Sequence, residues 1–546
     1  MKPRVAPNRF APGLAALLLV SCAQEPEKVV DGMVLMSARA QLIRASVDLR
    51  GVHPSETELR AIEANPDLYG DFVDRFLADP RFLDRSVELW NQRLLTGTGS
   101  TYGQSYAAAS GEDVANAMSG ETLRLVRHIV EQDLPYSEIV LADYTMANPL
   151  LAAMWGLDRS GDEPGWAPAR YTDGREHAGI LTMSSVWLRY PSAGGNANRH
   201  RANAVSKMLL CDDYLSRPIV LNRAAVDQLT VDPETAISTN ATCQSCHSTL
   251  DPLSAHFFGW FTYDDDSADP TLYMPENEKA WMEYAGRSPA YYGVPTASMR
   301  EMADLIADDP RFVDCAVQTA WEGLNQRPLA DEDWTDFQTH RAAFVESGQS
   351  VRAVVRSVVL SPAYRAKSAE DPNLDERLAT VRTTSPSQMH TIIEDITGYS
   401  WEFGGHPGLE SNGMGLPVLA GGIDADTVTK RSYEPGVGTV FIHERLAQSA
   451  GWAVARHDLD PDRESDAIML KYVTADDTPT ASKRAFEDQV RALYLQSTGY
   501  PLAEDATEMH NLITLWRQLH SVEGSSEAAW AGVISAVLRD PLVLTY

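Results

Sequence analysis

Val354-Val355-Arg356-Ser357-Val358-Val359-Leu360-Ser361-Pro362 sets four valines at offsets of one, four and five residues and then stops at serine and proline. Those offsets place the valines on one stripe of an α-helix, so the segment reads as a helix with a single face for a core. The proline ends it, because the residue before a proline is pushed out of the α region. The pattern recurs twice. Phe72, Val73, Phe76 and Leu77 precede Asp79-Pro80, and Val533, Ile534, Val537 and Leu538 precede Asp540-Pro541, at the same distances from the closing proline. Each copy follows a polar turn with proline: Gly51-Val52-His53-Pro54-Ser55-Glu56, Asn325-Gln326-Arg327-Pro328 and Thr498-Gly499-Tyr500-Pro501. Turn-to-end distances differ, so the chain reuses a helical unit without forming a solenoid of fixed period.

Outside these copies the pattern is also helical. Leu123, Val126 and Val130 fall on one face of Met118 to Val130, and Ser385-Pro386-Ser387-Gln388 reads as a helix start. No alternating run is long enough for a large sheet, although the glycine-rich Trp401 to Phe441 suits short hairpins. The expected fold class is therefore mainly α, multi-domain, with few short strands. At 546 residues the chain should hold three or four domains of about 150 residues. The expected division is a signal segment 1–21, a tether 22–32, a helical domain 33–175, a domain 176–300, a helical domain 301–370, a linker 371–384 and a C-terminal helical domain 385–546. Further linkers are expected at Thr96 to Asp113, Arg159 to Arg175, Ala366 to Thr384 and Asp458 to Lys483.

A formal charge of −30 makes nucleic acid an unsuitable partner, since phosphate binding needs a basic face. The acidity suits either solubility or docking of a basic partner. Lys2, Arg4 and Arg9, the apolar Phe10 to Val20, and Leu19-Val20-Ser21-Cys22 together read as a bacterial lipoprotein signal. Cys22 is then the lipidated residue, the bilayer is met through that anchor, and Ala23 favours the outer membrane, with the protein periplasmic or surface-exposed.

Cys243-Gln244-Ser245-Cys246-His247 has the spacing of a c-type haem attachment site. Two thiols form thioethers to the porphyrin and the adjacent histidine ligates the iron, a chemistry completed outside the cytoplasm. The sixth position sets the use: methionine raises the potential, histidine lowers it, and an open position admits a small ligand. Met183 is the leading candidate, with Met274, Met282, Met299 and His256 behind it. Arg199 and Arg201, in a basic island with His200, are candidate partners for haem propionates. Leu250 to Leu253 and Phe257 to Phe261 offer an apolar wall or ordinary core. The competing readings of the motif are a structural zinc site, short of a fourth local ligand, and a redox dithiol without its usual βαβ context. Hydrolase and nucleotide-loop motifs are missing from the sequence.

With Cys22 assigned to lipid and Cys243 and Cys246 to haem, Cys211 and Cys315 remain as an even pair in an oxidising compartment. A disulfide between them is expected; the alternative is two buried thiols acting as small apolar groups.

Thr182 to Trp260, with Arg201, Cys211, Arg217-Pro218 and Cys243-x-x-Cys246-His247-x-x-Leu250-Asp251-Pro252-Leu253, resembles the C-x-x-C-H domain of large secreted planctomycete-type cytochrome proteins, found also in myxobacteria. Asp133 to Thr145 with Asn148 resembles the domain that usually precedes it, Cys315 with Gly323 to Arg327 the one that follows, and Ser46 to Pro80 another helical module of the same proteins. The pattern departs at Ser254, where glycine commonly follows, and at Phe258 to Phe261. The resemblance implies one haem c in an exported helical protein and supports the Cys211 to Cys315 bond. The resulting expectation is a lipoprotein that carries electrons to a redox or envelope protein partner, an electron carrier or binding protein ahead of a catalyst, with a haem enzyme of open coordination site as a weaker third reading. The alternative is a helical binding or assembly protein in which C-x-x-C-H is structural.

Overall fold

The three repeated segments become three helical triplets in the computed structural model, which describes residues 28–97, 109–161, 163–192, 194–218, 232–260, 273–284, 286–403, 406–410 and 415–546, with isolated positions between 219 and 231. The first triplet is α1 (Ala38–Arg50), α2 (Glu56–Ala64) and α3 (Tyr69–Ala78), followed by α4 (Arg81–Leu94) and the long α5 (Gly111–Glu131). A middle region holds α6 (Ser184–Arg189), α7 (Arg199–Leu210), α8 (Ala241–Ser254) and α9 (Met299–Ala307). The second triplet is α10 (Pro310–Asn325), α11 (Trp334–Glu346) and α12 (Val351–Leu360). After α13 (Pro386–Thr397) and α14 (Val437–Asp458) comes the third triplet, α15 (Lys483–Thr498), α16 (Thr507–Glu523) and α17 (Ser526–Leu538). The chain is mainly α, as its stripes predict.

The triplets share their punctuation. The first helix of each ends on a left-handed residue, Gly51 (φ 72°), Gln326 (φ 51°) and Gly499 (φ 77°), which turns the chain toward the following proline. Two of the three are glycine, the residue for which this conformation is free of a Cβ clash. At the other end, the acid or serine before the closing proline caps the next turn: Asp79 Oδ1 accepts from Arg81 N at 3.0 Å, Ser361 Oγ from Tyr364 N at 3.2 Å and Asp540 Oδ1 from Leu542 N at 3.0 Å. The stripe residues of α3, α12 and α17 are all buried.

Strands are short. β1 (Val29–Val30) and β2 (Met33–Leu35) form an antiparallel sheet with β8 (Ala366–Ala369), while β3 (Thr145–Ala147), β4 (Asp158–Arg159) and β5 (Ala167–Arg170) form a second sheet in the order β3-β5-β4. Among the described residues two hairpins complete the set, β6 (Ala290–Tyr291) with β7 (Val294–Pro295) and β9 (Glu402–Phe403) with β10 (His406–Pro407), the latter inside the glycine-rich segment expected to hold one.

Several contacts cross the expected boundaries. The β2–β8 pairing and the packing of α3 on α12 and α4 on α10 join 33–175 to 301–370 through one continuous core. The segment 371–384 ends in a buried seam, where Arg382 and Thr384 exchange backbone hydrogen bonds with Leu544 and Tyr546. Beneath it Asp48 accepts from Tyr364 Oη at 2.6 Å, Arg382 Nη1 at 3.0 Å and Tyr546 Oη at 2.5 Å, tying the first triplet to the second and to the C-terminus. Arg159 to Arg175 contains β5. The acidic segment after Asp458 folds onto that residue, whose carboxylate accepts from the amides of Ile468, Met469 and Leu470 at 2.7–2.9 Å. A buried carboxylate satisfied by backbone amides organises a loop where composition suggests a flexible link.

Candidate functional site

Helix α8 begins at Asn240, whose side chain accepts from Thr242 N at 3.0 Å. From there Cys243, Cys246, His247, Leu250 and Asp251 follow helical spacing and share a stripe. That stripe descends from water into the core: the cysteines and His247 are half-buried, Leu250 and Asp251 buried. Cys243 and Cys246 are free thiols.

One turn below the motif, Asp251 Oδ1 lies 3.0 Å from His247 Nδ1 and 2.6 Å from Arg199 Nε. Burial opposes ionisation of this carboxyl, but the hydrogen bonds from His247 and Arg199 hold it below the usual carboxylate range. An ionised Asp251 only accepts, so Nδ1 of His247 carries a proton and donates to it. Among the described residues Nε2 has no hydrogen-bond partner. Arg199 opens α7, where a cation is disfavoured by the helix dipole, and Asp251 offsets that cost.

The far end of α7 is fixed covalently. Cys211 and Cys315 form a disulfide with Cα atoms 5.2 Å apart, as expected, joining α7 to α10 and enclosing the whole C-x-x-C-H segment in the loop between them. Arg201, the other arginine expected to meet a propionate, lies inside the fold. It is buried, and its guanidinium donates to the carbonyls of Tyr190 (3.1 Å), Trp260 (3.1 Å), Phe257 (3.4 Å) and Trp187 (3.4 Å) and to Asn198 Oδ1 (3.1 Å). With Nε, Nη1 and Nη2 each donating inside the fold, Arg201 clamps the turn after α8. Burial pushes its pKa down to about 9. His200 turns elsewhere, its Nδ1 2.9 Å from the Pro191 carbonyl, so the basic island is divided into three separate roles.

Met183 is fully buried at the start of α6, and its sulfur accepts from Thr122 Oγ1 of α5 at 3.7 Å. In this structure it packs as a core residue. His256 has both ring nitrogens engaged, with the Leu253 carbonyl at 3.1 Å and Thr296 Oγ1 at 2.7 Å. Met282 is exposed, Met299 is buried, and Met274 Sδ accepts from Asn277 at 3.3 Å. The aromatic run is core: Phe257 and Trp260 pack on Trp187 with centroids at 4.5 and 6.1 Å, and Tyr273 lies 4.8 Å from Trp260. Phe261 and Cys22 lie outside the described residues.

Asp251 is the member of this cluster that reading for known ligands passes over. Its signal was present as the i,i+4 spacing from His247 inside Leu250-Asp251-Pro252-Leu253. The residues fit a covalent haem: two free thiols beside an imidazole whose Nδ1 is held by a carboxylate and whose Nε2 has no partner among the described residues. They fit zinc less well, because among the described residues no three His, Cys, Asp or Glu side chains converge as a metal cluster.

These features define a helical, disulfide-stapled protein with a C-x-x-C-H helix anchored on a buried carboxylate. Residues 58–157 match a planctomycete-type family, PSD4, described as a protein of unknown function (DUF1592). The matched span runs from within α2 to Leu157, covering Asp133 to Asn148 and part of Ser46 to Pro80. No curated protein and no solved structure matches the chain.

Proposed function

We propose that this chain is a cell-envelope lipoprotein carrying one haem c through Cys243 and Cys246, with His247 as an iron ligand, and that it passes electrons to an envelope partner. The observation that carries the reading is the His247–Asp251 hydrogen bond beside two free, half-buried thiols on one helical stripe. Haem bound there supplies one-electron chemistry at iron. The chain's own contribution is to hold the imidazole by its Nδ1 and to fix α8 against the disulfide-stapled α7 and its Arg201 clamp. Cys22 is the proposed lipid anchor and the outer membrane the proposed location; among the described residues no helix is long and apolar enough to cross a membrane.

The deciding measurement is haem-stained denaturing electrophoresis of the full chain matured with a c-haem assembly system. A covalent band in the wild type that Cys246→Ser weakens or abolishes supports the reading, and an unstained wild type removes it. A second reading, a helical binding or assembly protein, is favoured by one feature: Val437, Val440, Phe441 and Trp452 are exposed along α14. An unstained protein would leave that reading in place.

A further inference from the structure

We infer that Asp251 and Arg199 are positioning residues that tune the donor strength of the His247 imidazole in opposite directions, and with it the reduction potential of iron bound at Nε2. This inference rests on the haem reading above. A ring N–H donated to a carboxylate shifts negative charge onto the imidazole, which makes the opposite nitrogen a stronger donor and favours ferric over ferrous iron. The guanidinium of Arg199 bonds the same oxygen, Oδ1, at 2.6 Å against 3.0 Å for His247 Nδ1, and so draws charge away from the ring. One oxygen shared by two donors makes the two influences antagonistic.

Position and rigidity give the arrangement its effect. The side chains of Asp251, Arg199 and His247 are 3%, 20% and 23% exposed, so their interactions are weakly screened by water and salt. Among the described residues, no other charged side chain bonds the Asp251 carboxylate. Both partners are held from behind. Arg199 sits on the helix that the Cys211–Cys315 disulfide secures, and Asp251 precedes the turn that Arg201 clamps through the Phe257 and Trp260 carbonyls.

The test compares wild type, Asp251→Asn, Arg199→Gln, Arg199→Lys and the Asp251→Asn/Arg199→Gln double variant as full-length matured protein. Each is checked for covalent haem by stained gel and for folding by circular dichroism, then titrated spectroelectrochemically for its midpoint potential. Asp251→Asn is expected to shift the redox equilibrium toward ferrous by tenfold or more, about 59 mV for a one-electron couple. Arg199→Gln is expected to shift it toward ferric, Arg199→Lys to stay near wild type, and the double variant to fall between the single ones. Loosening of the fold would move both single variants the same way. Shifts of one sign, or both within threefold of wild type, overturn the inference while the stained band leaves haem attachment standing. An unstained wild type removes attachment and tuning together.

Discussion

The closing helices of the triplets and helix α8 obey the same spacing and use it for different ends. In α3, α12 and α17 the stripe holds Phe, Val, Ile and Leu, each no more than 5% exposed, and its product is burial. In α8 the stripe holds two thiols, an imidazole and a carboxylate, half-buried at one end and buried at the other. Helical period reports a face, and residue type reports what the face is for. A buried carboxylate is costly unless charged donors meet it, and in α8 His247 and Arg199 do so. The framework stripes need only apolar neighbours.

The comparison breaks most visibly under truncation. Phe76→Ala, removing a ring from the α3 stripe beneath the Arg50 guanidinium 3.8 Å above it, is expected to cost about 3–5 kcal/mol in denaturant unfolding. Cys243→Ala, on the half-buried part of the α8 stripe, should change stability by no more than about 0.5 kcal/mol in the unmodified chain. Equal losses at the two positions would show that α8 is merely another packing helix.

Next comes the covalent tie. Replacing Cys211 and Cys315 with serine is expected to cost about 2–5 kcal/mol, by releasing a long closed loop in the unfolded chain. Proteolysis should then cut first within the enclosed segment, with the triplet helices protected. Uniform digestion would argue that the disulfide does not divide site from framework.

Histidines sharpen the contrast by a smaller margin. Burial pushes His53 and His443 down to about 4, below the 6.5 of an unfolded histidine, so between these values the unfolded chain binds more protons. Their neutral burial contributes fully above pH 6.5 and is lost as pH falls toward 4, by about 2 kcal/mol per histidine at pH 5. Denaturant midpoints at pH 7.5 and 5 should separate accordingly, and less so in His53→Gln. Among the described residues His53 Nδ1 and His443 Nε2 lack partners, whereas His247 Nδ1 meets a carboxylate.

Local pattern made much of this readable. The triplets follow from stripes and closing prolines, Ser385 caps α13 with Gln388 N donating at 3.1 Å, and cysteine arithmetic paired Cys211 with Cys315. The site was readable in part: Cys243, Cys246 and His247 occupy one face as their spacing requires, but Met183 and Arg201 belong to the core. Chemical type alone suggested ligands there, and only packing distinguishes a buried methionine or a carbonyl-clamping arginine from a free one.

Sequence alone determined the helices, their caps, the threefold reuse of one unit and the face on which the C-x-x-C-H residues stand, because all of these depend on neighbours within a turn or two. Tertiary structure decided that Arg199 meets Asp251 across 52 residues, that Asp48 gathers Tyr364, Arg382 and Tyr546, and that segments resembling linkers are seams and loops around buried carboxylates. Such contacts pair charges and polar groups over distances that no period encodes, and they form only where folding has already excluded the water that would otherwise satisfy each group separately.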